Sequence, residues 1–184
     1  MTYAFLGGAL VLILGLIALY NGLVRGKNAV DEAWSGIAVQ LKRRHDLVPN
    51  LINTVKGYAS HEREVFTHLA EARAQSIAAG SQGIEATAAA ENALSHALKS
   101  LFAVAEAYPE LQASANFASL QQSLSELEEA LQMARRYYNG TAREQNNRIL
   151  QFPACLIASS LGFNKAAYFE LDSEAEKAVP QVNF

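Results

Sequence analysis

EAWSGIAVQLKRRHDLVPNL, residues 32–51, decides how the chain folds. Trp34, Ile37, Leu41, Arg44, Val48 and Leu51 recur at alternating steps of three and four, the stripe that a helix turns toward helical neighbours. Val30 extends the stripe backward, and Val55, Tyr58, Glu62, Val65, Leu69 and Ala72 extend it forward. The spacing predicts one long helix from Asn28 to about Ala74, about 70 Å at 1.5 Å per residue.

Two residues of this stretch do not suit such a helix. Pro49 has no N–H, so the carbonyl of His45 loses its partner and a kink is expected. Arg44 falls on the apolar stripe, whereas Lys42, Arg43, Asp46 and Asn50 point to other faces. An unpaired buried charge costs several kcal/mol, so Arg44 needs a carboxylate or carbonyls. On a single long helix Glu62 lies about 27 Å away along the same axis and reaches Arg44 only across an assembly. Register counting brings Glu106 or Glu110 nearer. The cluster reads either as solvated charges around one snorkelling arginine or as a docking surface.

Upstream of this helix, no side chain from Met1 to Val24 is charged, so all 15 basic and 18 acidic residues lie beyond that point. The length suits the roughly 20 apolar residues that cross a bilayer. Tyr3 and Tyr20 stand near its ends, about 26 Å apart, where interfacial aromatics belong. Gly7, Gly8, Ala9 and Gly15 permit close approach of a second helix. With no cationic segment before the apolar run and no A-x-A site after it, the expectation is an uncleaved anchor rather than a signal peptide. Arg25, Lys27, Lys42, Arg43 and Arg44 follow the span and place the large domain on the cytoplasmic side, with the outside as the alternative because Asp31 and Glu32 are close.

Downstream, AAGSQGIEA at 78–86 reads as a hairpin tip. A second helix carries Leu94, Leu98, Leu101, Ala105 and Tyr108 on one face and stops at Pro109. A third repeats the stripe at Phe117, Leu120, Leu124, Leu127, Leu131, Ala134 and Tyr138. Asn139-Gly140 is a turn signal, yet Ala142, Gln145, Ile149 and Phe152 continue the helical spacing, so a bend and an unbroken helix are both open there. ACLIASSLGF after Pro153 predicts a short apolar helix capped by Gly162, and Phe163, Tyr168 and Phe169 then need burial. With no strand-like alternation, the fold class is all-α: an N-terminal transmembrane helix continuing into a long-helix antiparallel bundle of three to four helices. The expected divisions are an anchor at 1–26, a bundle domain at 27–171 and a mobile tail at 172–184.

A formal net charge of −3 and the lack of a basic stripe interleaved with aromatics leave no signature for nucleic acid, which is not expected as a partner. Cys155 is the only cysteine, which rules out an internal disulfide and a CxxC site, and it is expected to be a small buried thiol. HEREVFTH at 61–68 has its histidines seven apart, where a zinc-protease helix needs them four apart. Glu64 and His68 offer a two-ligand edge at most, and read as a surface pair. No phosphate loop, nucleophile elbow or Ser/Lys dyad motif occurs. No catalytic residue, metal ligand or cofactor is therefore assigned.

YNGLVRGKNAVDEAWSGIAVQLKRRHDLVPNLINTVKGYASHE, then AEAR at 70–73, AEAYPEL at 105–111, ARRYYN at 134–139 and FPACLIASSLGF at 152–163 occur in this order, and together they resemble the LemA family of bacterial membrane-anchored proteins. The resemblance covers about residues 20–170 and implies a membrane helix, an elongated antiparallel helical bundle, residence in the bacterial inner membrane and no established chemistry. The family is similar to the magnetosome protein MamQ, and some members occur with membrane metalloproteases. Ala38 and Gln145 depart from the family pattern, which commonly has an acidic residue and a tyrosine at those positions. Arg43, Arg44, Asp46, Pro49, Asn50, His61, Glu62, Tyr138 and Asn139 are the candidate interaction or structural residues. The function expected is a non-catalytic scaffold or adaptor, held in the bilayer, that self-associates or docks another membrane protein. Membrane shaping is the alternative, and a metal-dependent hydrolase using His61, Glu64 and His68 is the remote third.

Overall fold

The computed structural model describes residues 1–170, and the tail expected at 172–184 lies outside them. The described chain is helical: α1 (Thr2–Lys56), α2 (Arg63–Ala79), α3 (Ile84–Glu106), α4 (Pro109–Gln112) and α5 (Ala115–Leu150), with a 3-10 turn at Ala154–Leu156. Two compact units form, one from Met1–Ala38 with Gln132–Tyr168, the other centred on Val39–Leu131.

The second unit is an antiparallel four-helix arrangement. The expected helix to Ala74 does not form, because α1 ends at Lys56 and the chain turns back through residues 57–62. Gly57 is a poor helix former. Just after it the N–H groups of Tyr58 and Ala59 both bond the carbonyl of Val55, at 3.0 and 2.9 Å. Ala59 (1% exposed) then takes the core position and Tyr58 (44%) faces solvent. Phe66, Leu69, Ala72, Ser76 and Ala79 form a fresh buried stripe on α2. The turn is short enough that spacing by threes and fours runs through it in sequence while the chain reverses in space.

The α2–α3 hairpin comes where the glycines predicted it. Gly83 adopts φ +107°, a left-handed value that favours glycine. The Thr87 hydroxyl, with Ala79 and Gly83 carbonyls at 3.1 and 2.8 Å, closes the tip. Phe102 of α3 meets Phe117 of α5 at 6.1 Å between ring centroids. A core that includes Val48, Leu51, Leu69, Leu94, Leu101 and Leu111 fills this unit.

In the first unit α5 returns antiparallel to α1. Asn139-Gly140 is ordinary helix, so α5 is unbroken to Leu150. Trp34 packs edge-on against Tyr138 at 5.5 Å. Further along, the Gln145 Nε2 donates to the Leu23 carbonyl at 3.2 Å. A Cβ on Gly26 would lie 1.9 Å from Gln145 Oε1, so a side chain at 26 would displace the Gln145 amide from this position. Gln145, one of the two departures from the family pattern, thus fills its place with an amide instead of an aromatic ring, and Ala38 is exposed.

The helix expected after Pro153 shrinks to a single 3-10 turn followed by irregular turns. Gly162, at φ +80°, does act as the cap: the N–H of Phe163 bonds the Ala158 carbonyl at 2.9 Å and that of Gly162 bonds Ser159 at 3.0 Å, a Schellman pairing. Asn146 then clasps the backbone of Ala166 from both sides, at 3.0 and 2.8 Å. Cys155 is exposed, contrary to expectation, because Ala154 and Ala158 take the inward positions. Phe163 and Phe169 are buried as expected, whereas Tyr168 is partly exposed.

Residues 2–18 of α1 are exposed, and among the described residues α1 is the one helix long and apolar enough to cross a membrane. Tyr3, Gly7, Gly8 and Gly15 sit on this bare stretch, and Tyr20 packs edge-on against Phe163 at 5.7 Å.

Candidate functional site

Most polar residues buried in the second unit converge on one carboxylate. Glu91 stands on the α3 stripe between Thr87 and Leu94 and is fully buried. Its Oε2 receives Arg44 Nη1 at 2.8 Å. Its Oε1 meets His45 Nε2 at 2.8 Å and accepts a very short bond from the Ser76 hydroxyl. Arg44 Nη2 donates to Ser95 Oγ at 2.8 Å and pairs with Glu128 of α5 at 2.7 Å. Ser95 in turn donates to the Glu91 carbonyl at 2.9 Å. All four long helices of the unit thus contribute to one cluster.

The helix register explains why Arg44 and Glu91 meet. Once α1 ends at Lys56, α2 runs back and α3 returns, so the start of α3 arrives beside Arg44. Glu106 and Glu110, the partners expected from an unbroken first helix, are exposed, and no ion pair joins either to Arg44. Glu62 accepts instead from the Tyr108 hydroxyl at 3.4 Å. Arg44 is therefore neither a snorkelling arginine nor part of a docking surface: it is 2% exposed and paired inside the bundle.

Pro49 has a specific consequence beside this cluster. The His45 carbonyl, left without a partner, accepts Arg73 Nε from α2 at 2.6 Å. One residue thus serves twice, its ring holding Glu91 and its carbonyl holding Arg73.

Burial alone would raise the Glu91 pKa, but the bonds from His45 and Ser76 and the Arg44 guanidinium outweigh it and hold the carboxyl below its ordinary value. Glu91 is therefore charged at neutral pH. Ser, His and Glu in mutual contact invite comparison with a hydrolase triad. A relay needs the two imidazole nitrogens to bond different partners, whereas here Nε2 faces both Ser76 and Glu91. With the proton on Nε2, Ser76 accepts from His45 and donates to Glu91, and the hydroxyl is consumed in holding the helices. The chemistry of this arrangement is mutual neutralisation.

The remaining candidates separate. Arg43, Asp46 and Asn50 are exposed, as their register requires, as are His61, Glu64 and His68. Among the described residues no group of three or more His, Cys, Asp or Glu side chains is placed to hold a metal ion. Tyr138 belongs to the first unit, where its hydroxyl donates to the Ala167 carbonyl at 2.7 Å. Burial, and then the Asp31 carboxylate, push its pKa up to about 12. Asn139, next to it, is half-buried. Sequence reasoning missed Ser76, Arg73, Glu91, Ser95 and Glu128. The signal for two of them was present, since Ser76 and Glu91 fall on the buried stripes of α2 and α3.

Magnetosome protein MamQ 2 of Paramagnetospirillum magneticum is 26% identical over 179 residues, covering 84% of this chain and 66% of its own length. Magnetosome protein MamQ of Magnetospirillum gryphiswaldense is 26% identical over 178 residues, covering 84% and 65%. The chain thus spans a little under two thirds of the length of these relatives. Protein LemA of Metamycoplasma hominis is 26% identical over 162 residues, covering 85% of this chain and 71% of that protein. The LemA family model matches residues 33–184, a stretch that includes every member of the Glu91 cluster, and the chain belongs to the LemA family.

Proposed function

We propose that this protein is a non-catalytic scaffold or adaptor, anchored in the bilayer by the start of α1, that self-associates or docks other membrane proteins. Membership of the LemA family and likeness to MamQ suggest a membrane-associated protein. The observation that carries the proposal is the state of α1: its apolar start, residues 2–18, is exposed, and the same helix runs on into the packed bundle. A solvated helix of that composition would leave a large apolar surface in water. Arg25 and Lys27, just past the uncharged span, favour a single-pass arrangement in the inner membrane with the bundle in the cytoplasm. The chemistry of the interior supports a structural role, since the buried histidine, serine and carboxylate are all used in holding helices together. Candidate partners in the same bilayer are further copies of the chain and other membrane proteins, such as a membrane metalloprotease.

The mass of the full-length protein, extracted with its surrounding lipid, tests this reading. A particle holding several copies, or one copy with a second membrane protein at fixed ratio, is expected. A lone monomer at every concentration that captures no membrane protein would overturn it.

A further inference from the structure

The segment after α5 leaves an apolar surface that its own chain does not cover. Between Arg148 and Lys165 no residue is charged. Ala158 and Phe163 turn inward and, with Ile149, cluster with Leu19, Leu23 and Val24 of α1. Leu150 (55% exposed), Phe152 (80%), Leu156 (72%) and Leu161 (45%) turn outward. The segment is thus fastened to the last turns of the uncharged span, at the level where that span leaves the hydrocarbon.

We propose that residues 150–163 form a second membrane contact, a foot lying in the lipid interface beside the transmembrane helix, with Phe152 and Leu156 as its inserted side chains. The inference rests on the reading of α1 as a membrane span. Continuity argues for lipid as the occupant: Tyr20 and Leu19 belong to the span, and Phe163 packs edge-on against Tyr20. The backbone suits that location. Irregular chain exposed to lipid must satisfy its own polar groups. Here the N–H groups of Cys155, Leu156, Ile157, Ala158, Leu161, Gly162 and Phe163 all bond carbonyls within the segment. Charge agrees as well, for Arg148 and Lys165 flank the segment in sequence, and Arg25 and Lys27 follow the uncharged span to which it is fastened.

Cys155, exposed between Phe152 and Leu156 and unique in the chain, is a natural reporter. Full-length protein labelled there with an environment-sensitive fluorophore would be reconstituted in vesicles of phosphatidylcholine and phosphatidylglycerol carrying quenchers at shallow or deep positions of the acyl chain. A Cys155→Ala/Gly8→Cys variant, labelled in the span, reports anchor insertion separately. The foot is expected to show blue-shifted emission lost to the shallow quencher more than to the deep one. Phe152→Ser/Leu156→Ser should abolish that loss while helicity and melting stay unchanged. If the Gly8 label is quenched and the Cys155 label is not, the foot is refuted and the anchor stands. A blue shift without lipid quenching would mean that protein, such as a second copy, covers the segment, and also refutes it. If neither label is quenched, both readings fall.

Discussion

At the scale of single residues, the adjacent pair Arg43 and Arg44 has opposite roles. Arg44→Ala leaves the Glu91 charge buried without its main partner, and a loss of about 3–5 kcal/mol is expected, against about 0.5 kcal/mol or less for exposed Arg43→Ala. Denaturant melts of the two variants check this, and equal midpoints would show that the Arg44–Glu91 pair contributes nothing. The depressed pKa of Glu91 also fixes the direction of its pH dependence. A carboxyl held below its unfolded value, about 4.3, adds stability that is fully present above that pH and is lost as pH falls through the folded pKa. Facing Glu91 are Arg44 and His45 from α1, Ser76 from α2 and Ser95 from its own helix, with Glu128 of α5 on the far side of Arg44. Glu91→Gln is therefore expected to lower stability at neutral pH and to flatten its decline below about pH 4. A parallel acid decline in both proteins would remove Glu91 as its source.

At the scale of elements, Pro49 makes the ladder of α1 depend on α2. Arg73→Ala strips the His45 carbonyl of its donor and should cost about 1–3 kcal/mol. In a Pro49→Ala background the residue at 49 supplies an N–H of its own, so the same Arg73 change should cost clearly less. A double-mutant cycle with no coupling would contradict this account. The same region shows what spacing reveals and what it conceals. The stripe from Val30 to Val55 was legible because each member recurs on a helical face, and the polar exceptions at Arg43, Asp46 and Asn50 proved to be exposed. The reversal at Gly57 was not legible. The residues of the turn happen to preserve a three-four rhythm, and whether Gly57 ends a helix depends on whether Ala59 finds a core to enter. From that one misreading followed the wrong partner for Arg44, since the direction of α3 decides which glutamate arrives beside it. Cys155 illustrates a smaller limit. Within a short irregular segment no periodicity exists to say which of two neighbouring small residues faces inward.

At the scale of the whole molecule, the membrane-spanning stretch offers a clean test of assembly. Nothing lies within 4 Å of a Cβ built on Gly8 or Gly15, so leucine at both positions costs the monomer no packing. If these glycines let spans approach one another, Gly8→Leu/Gly15→Leu should shift the lipid-extracted protein to smaller assemblies with an unchanged melting temperature. Unaltered particle mass would move the self-association contact elsewhere. The bond between Arg73 and the His45 carbonyl also sets an order of events during synthesis. His45 leaves the ribosome 28 residues before Arg73, an interval on the order of seconds at bacterial elongation rates. Throughout that interval α1 carries a carbonyl that only water can satisfy, and an arginine whose carboxylate has yet to be translated. The middle of α1 is therefore completed only by groups encoded further along the chain, from α2, α3 and α5.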